Sequence, residues 1–235
     1  MNIGIVGVGV CGGALKEYFE QTSDHVLSLY DPRLSHLDDL HLCDVGFICV
    51  PIPTKNFKLD YSILEVSISR FSKQTPVFLR STALPGTADQ YGLHSMPEFL
   101  TERKAVDEMF RLPIITGCKD TRLLDDLFPD KEVLIVSNKE AELIKYAHNV
   151  FGAVKVNYFN IINEICTNLE LNYESVRTGV LMSGFINKEH TLVPGPDGRT
   201  GYGGNCFLKD IAAFYGMFEY DLIHETIKSN ERFRK

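Results

Sequence analysis

Ile3-Gly4-Ile5-Val6-Gly7-Val8-Gly9-Val10-Cys11-Gly12 is the stretch that decides the fold. An apolar run leads straight into Gly7-Val8-Gly9-Val10-Cys11-Gly12, a GxGxxG turn, and a helix-compatible segment follows. The turn alone is a weak signal. Its context adds weight, because Asp31 ends the second apolar run, 19 residues beyond Gly12. Glycines let the backbone turn tightly and approach a pyrophosphate at a helix N-terminus, where free N–H groups and the helix dipole favour anions. Asp31 is placed to accept both ribose hydroxyls of an adenosine and to repel a 2′-phosphate. That selects NAD over NADP, while Arg33 beside it pulls toward a phosphate.

The runs Ile3 to Val6, Val26 to Tyr30, Val45 to Val50, Val77 to Arg80, Pro113 to Thr116 and Val133 to Val136 are short and rich in Val, Ile and Phe. Each is bounded by Gly, Pro, Asp or Ser. Helix-compatible segments separate them, which predicts an α/β domain over residues 1–137 with a Rossmann-like, doubly wound parallel sheet. From Lys139 the texture changes. Glu140 to Leu171 has apolar residues at helical spacing and only Gly152 as a breaker, so it reads as one long helix. Tyr173 to Met182 predicts a shorter helix, the glycine- and proline-rich Val193 to Asn205 a loop, and Cys206 to the end a last helix. Residues 138–235 are thus expected to form an all-α central domain.

The balance of 24 Lys and Arg against 31 Asp and Glu, a net charge of −7, lacks the basic surplus that nucleic acid requires. Hydrophobic residues at 44% and charged residues at 23% suit a folded chain with a core. No apolar stretch approaches the roughly 18–20 residues that span a bilayer, and the N-terminus lacks the basic start of a secretory leader. The expectation is a cytoplasmic protein without nucleic-acid or membrane partners. Six cysteines, at 11, 43, 49, 118, 166 and 206, form no CxxC pair and read as reduced thiols, with no metal site. Cys43, Cys49 and Cys166 read as small buried hydrophobes.

Lys145 and Asn149, four apart on the long helix, share one face. Alone, that spacing is more often a solvated face. Downstream lies Gly201-Tyr202-Gly203-Gly204-Asn205-Cys206-Phe207-Leu208-Lys209-Asp210, a cysteine after a flexible glycine loop and at a helix start, where the dipole stabilises a thiolate. Asp210, four residues on, faces the same way.

With Val50-Pro51-Ile52-Pro53-Thr54, Ser81-Thr82-Ala83-Leu84-Pro85-Gly86-Thr87, Pro97-Glu98-Phe99-Leu100 and Glu142 to Asn149 in the same order, the chain resembles the nucleotide-sugar 6-dehydrogenases, the UDP-glucose/GDP-mannose dehydrogenase family. The resemblance implies an NAD-dependent, four-electron oxidation of a sugar CH₂OH to a carboxylate through a thiohemiacetal and a thioester on Cys206. By it Lys145 stabilises the oxyanion with Asn149 as a second donor, Asp210 positions water or moves a proton, Glu98 serves thioester hydrolysis, and Thr82 and Glu102 contact water or the nicotinamide side. It assigns the cofactor to Gly7, Gly9, Val10, Cys11, Gly12, Asp31 and Arg33, joined by Pro51, Thr54, Ser81, Thr82 and Glu102. Phe99, Leu100, Tyr202, Gly203 and Phe207, with Lys145 and Asn149, match positions that line the pocket for a substrate such as UDP-glucose.

There are departures. Family members carry a further nucleotide-binding domain after the last helix, so the expectation is a short form lacking the C-terminal UDP-binding domain, or one served by a separate nucleotide-binding domain. Met96, Ile52, Arg103 and Leu208 replace residues more frequent in the family. The wide apolar surface of the long helix, with Val150, Phe151, Val154, Tyr158, Phe159 and Ile162, predicts a homodimer. Two other readings stand beside this one. A β-hydroxyacid dehydrogenase also uses Lys and Asn four apart but needs no Cys206, and a non-catalytic NAD-binding module would keep the sites without the substrate.

Overall fold

The computed structural model describes residues 1–235, the side chain of Asn205 excepted, and divides into two units: residues 1–55 with 59–145, and 56–58 with 146–235. In chain order the elements are β1 (Asn2–Val6), α1 (Val10–Thr22), β2 (Val26–Asp31), β3 (His36–Leu37), β4 (Val45–Ile48), β5 (Thr54–Lys55), β6 (Lys58–Leu59), α2 (Ser62–Ile68), β7 (Val77–Leu79), α3 (Thr87–Tyr91), β8 (His94–Ser95), α4 (Ala105–Arg111), β9 (Ile114–Thr116), α5 (Thr121–Leu127), β10 (Val133–Ile135), α6 (Asn138–Asn168), α7 (Tyr173–Met182), α8 (Asn205–Phe218) and α9 (Asp221–Phe233).

The first unit is built on a six-stranded sheet of order β3-β2-β1-β4-β7-β8. Its pairings are parallel except for β2 with β3. Strand side chains alternate between faces, and here both faces are buried. Ile3, Ile5, Val45, Phe47 and Phe78 enter one core with Leu15, Phe19, Met109, Leu124 and Phe128. Val6, Ile48, Val77 and Leu79 enter the other with Leu64, Phe71 and Ala88. Gly4 and Gly46 are register partners, and the Phe71 ring fills the groove that they leave. This is the mostly parallel, two-faced α/β sheet that the sequence predicts. The runs at 113–116 and 133–136 depart from it: β9 and β10 pair with each other as a separate parallel ribbon among the described residues.

In the second unit the shorter helix spans its predicted residues, whereas the expected last helix is two. Glu219 adopts a left-handed conformation (φ 52°), ending α8 with its amide on Tyr215 O, and α9 restarts at Asp221. Without glycine at that αL position the sequence carries no stop signal. Helix α6 runs unbroken for 31 residues, and the division between the units falls inside it, after Lys145. No helix among the described residues is long and apolar enough to cross a membrane.

Candidate functional site

In the first unit the glycine turn packs as tightly as its sequence implies. A β-carbon on Gly12 would lie 1.9 Å from Gly7 O, so the close pass of helix over strand excludes any side chain there. Beside Gly9 the space is open, leaving its backbone approachable by a ligand. A cavity of about 490 Å³ opens next to the turn, walled by Val6, Tyr30, Val50, Pro51, Ile63 and Val66 with Asp31 and Arg33 among its lining. Apolar walls with a carboxylate suit an adenosine, so the residues present fit a dinucleotide.

Asp31 is nevertheless fully engaged. Its Oδ2 accepts from the Val8 amide at 2.9 Å and from Arg33 Nη2 at 3.2 Å, and Oδ1 from the Arg33 amide at 3.1 Å and Nε at 3.3 Å. These Arg33 bonds, aided by the Val8 amide, hold its carboxyl below the usual range. The Arg33 side chain is 71% exposed, so its hold on Asp31 is weak. Ser81 Oγ donates to Val50 O at 2.5 Å, tying β7's exit to that of β4. Thr82 and Thr54 are half-buried, while Val10, Pro51 and Glu102 are exposed.

Lys145 and Glu98 meet in the same unit. Lys145 Nζ, buried, stands 3.4 Å from Glu98 Oε1 and 5.2 Å from the centre of the Phe99 ring, while Glu98 Oε2 accepts from the Leu100 amide at 2.6 Å. One turn before Lys145, buried Glu142 takes the Gly86 and Ala88 amides at 2.6 and 2.7 Å, closing the start of α3. Burial outweighs these bonds and pushes its carboxyl up to about 7. A carboxyl raised in the folded state stabilises the protein below its unfolded pKa of about 4.3, and that contribution disappears as pH rises to about 7. Relative to Glu142→Gln, wild-type unfolding free energy should therefore fall, by on the order of 2 kcal/mol, between about pH 4.3 and 7 and level off above. Urea melts of both proteins across that range check it, and a rise would refute it.

The second unit brings Asn149 to Asp210. Asn149 Nδ2 donates to Asp210 Oδ2 at 2.6 Å, and its Oδ1 faces His148 Nδ1 at 2.9 Å. Lys209 pairs with the other Asp210 oxygen, and Asp210 is wholly buried. Cys206, one turn earlier on α8, is exposed. The preceding loop is clamped rather than flexible. Gly201 N donates to Asn160 Oδ1 at 2.9 Å and Tyr202 N to Asn230 Oδ1 at 2.7 Å, while Arg234 Nε donates to Tyr202 O at 3.0 Å. A β-carbon on Gly203 would lie 2.2 Å from Arg234 Nη2, so that glycine serves close packing. Tyr202 is buried, and Phe207 stands over Gly152 of α6. Asn160, Asn230, Arg234 and Glu142 all went unread as site-builders; only Asn160, set between Phe159 and Ile161, carries a signal that could have found it, a lone polar residue within an apolar helical pattern. Cys43 and Cys166 are buried as expected, whereas Cys49 is only half-buried.

Residues 139–232 match the sequence model of the UDP-glucose/GDP-mannose dehydrogenase family, central domain. The UDP-glucose 6-dehydrogenase of Rickettsia conorii is 27% identical over 93% of this chain and 55% of its own length. The GDP-mannose 6-dehydrogenase of Pseudomonas aeruginosa is 28% identical over 79% of this chain and 49% of its own. This chain spans about half the length of the curated relatives it matches. Its fold is that of a UDP-glucose dehydrogenase from Pyrobaculum islandicum, with a TM-score of 0.81 at 22% identity over 98% of this chain and 68% of the other.

Proposed function

We propose, from the match of residues 139–232 to the UDP-glucose/GDP-mannose dehydrogenase family model, that the chain is an NAD-dependent nucleotide-sugar 6-dehydrogenase acting on UDP-glucose or a related substrate. The observation that carries the reading is the 2.6 Å bond from Asn149 to Asp210, which fixes α8, with Cys206 in its first turn, against α6. NAD, when bound, supplies two successive hydride acceptances. Cys206 Sγ adds to the aldehyde carbon after the first oxidation, holding it as a thiohemiacetal, and the second oxidation leaves a thioester that water splits to carboxylate and thiol. Lys145 Nζ stabilises the oxyanion. Asn149 spends one amide hydrogen on Asp210 and keeps the other for the substrate oxygen. Glu98, one oxygen fixed by the Leu100 amide, aims the hydrolytic water, with Asp210 receiving or relaying its proton. The family resemblance supports assigning Thr82 and Glu102 to the nicotinamide side, and Phe99, Leu100, Tyr202, Gly203 and Phe207 to contacts with the sugar.

The test is direct: supply UDP-glucose or GDP-mannose with NAD and measure NADH together with uronate. Two NADH per carboxylate is expected, and one NADH with free aldehyde as the end product would refute the covalent route. We also propose a homodimer through α6: of the apolar residues that the sequence singles out there Val150 and Phe159 are buried, while Phe151 and Tyr158 are exposed together with Ile161 and Ile165. Light scattering at tens of micromolar should give twice the chain mass of 26.5 kDa, and the chain mass itself would exclude the dimer.

A further inference from the structure

Cys11 is the second residue of α1, inside the glycine turn, and Cys49 follows β4, the neighbour of β1. The Cys49 amide donates to Val6 O at 2.8 Å, and the Cys49 β-carbon lies 3.3 Å from where a β-carbon on Gly12 would stand. Its side chain is thereby held against the start of α1. There the two thiols hydrogen-bond each other. Both are half-buried, whereas Cys43, Cys118 and Cys166 are buried.

Arg80, at the end of β7 and 2% exposed, faces this pair. Its Nη2 reaches Met109 Sδ at 3.6 Å, and its Nε and Nη1 have no hydrogen-bond partner among the described residues. A buried guanidinium so sparsely bonded is costly unless negative charge lies close. The bond from Cys49, with the Arg80 charge, overcomes burial and the opposing charge of Glu98 to bring Cys11 to about 7. The same bond holds Cys49 well above the ordinary thiol value. Cys11 is therefore the thiol of the pair that ionises first, while Cys49 keeps its proton.

We propose that Cys11 and Cys49 form a reversible disulfide when hydrogen peroxide reaches the glycine turn, and that this cross-link shuts the dinucleotide site. The second half rests on the cofactor reading above. The Cys11 thiolate attacks one oxygen of hydrogen peroxide, the O–O bond breaks, and the departing hydroxide takes from solvent the proton that Cys11 released on ionising, leaving as the first water with Cys11 as a sulfenic acid. Cys49 Sγ, losing its proton, then attacks that sulfur, and the S–O bond breaks to release the second water. Two thiols lose two electrons and two protons, and the peroxide becomes two waters. A sulfur–sulfur bond of about 2.05 Å is far shorter than a hydrogen-bonded contact, so closure drags Cys11 onto the end of β4. The turn has no slack, given the contact between Gly12 and Gly7, and the Gly9–Gly12 amides move with it.

The experiment treats the whole chain with stoichiometric hydrogen peroxide, maps peptides without reduction, and titrates NAD calorimetrically before and after, then again after dithiothreitol. A Cys11–Cys49 peptide is expected, with NAD affinity lowered at least about tenfold and restored by the dithiol. Cys49→Ser, with Cys49→Ala as a second variant, should bind NAD within about twofold of wild type and lose the reversible, peroxide-dependent change. A map in which Cys206 alone is oxidised, or Cys11 runs on to sulfinate without the cross-link, overturns the pair. A cross-link that leaves NAD affinity unchanged overturns the closure. Should the reduced protein take up no NAD, the cofactor reading and the closure fall together, and the peptide map alone decides the disulfide.

Discussion

Cys206→Ser is expected to lower carboxylate formation from a nucleotide sugar by about 1,000-fold or more, equivalent to about 4 kcal/mol of transition-state stabilisation. NAD affinity should stay within about twofold, because Cys206 is part of neither the glycine turn nor the lining of the cavity beside it. A serine hydroxyl is not ionised near neutrality and makes a poor acyl carrier, so the route is blocked after the first oxidation and aldehyde chemistry persists slowly. Cys43→Ser and Cys166→Ser are the controls. Both thiols are buried away from any proposed role, and these variants should act only through stability, by about 1–3 kcal/mol. Chromatographic separation of aldehyde and uronate reads all three. If wild type and Cys206→Ser form the acid at equal rates, the covalent mechanism is wrong. If wild type binds NAD yet oxidises neither UDP- nor GDP-sugars, the chain is a binding module.

The second large effect is at the turn. Gly12→Ala should weaken NAD binding by about 100-fold or more and lower unfolding free energy by about 2–4 kcal/mol. The added carbon would stand 1.9 Å from Gly7 O, well inside contact distance, so the turn or the first turn of α1 has to move. Either movement disturbs the Gly13 N to Gly9 O bond of 2.7 Å and the amides that would meet a pyrophosphate. Gly13→Ala is the matched control. Its β-carbon would meet only Val8 O at 3.6 Å, an ordinary contact, and alanine's higher helix propensity should raise stability by up to about 1 kcal/mol. Calorimetry with NAD and a denaturant melt distinguish the two. Equal behaviour of both variants would mean that close packing at Gly12 is not what the turn requires.

The βαβ half was legible because each long strand writes its burial into the chain. Ile3 and Ile5 face one core and Val6 the other, as Phe47 and Ile48 do on β4. Two-residue strands such as His36–Leu37 leave no such period, and nothing in Phe218-Glu219-Tyr220 marks the end of a helix. In the candidate site, the spacing of Lys145 and Asn149 was readable from helical geometry. The pairing of Asn149 with Asp210, 61 residues apart, was not, since only tertiary packing brings them together. The glycines of 201–204 were misread for a related reason: composition reports freedom, while Arg234 and Asn230, far along the chain, remove it.

Helix α6 has a practical consequence for anyone who dissects this molecule. A cut placed at Ser137, just ahead of the helix, would strip the first unit of Asn138 and Glu142. Asn138 Oδ1 accepts from Ser95 N at 2.8 Å and its amide holds Asp89, while Glu142 receives the amides that open α3. Such a fragment would carry a frayed edge at β8 and α3. A recombinant first half should therefore extend through Lys145, and a protease seeking a hinge between the halves would meet hydrogen-bonded helix there instead of a loop.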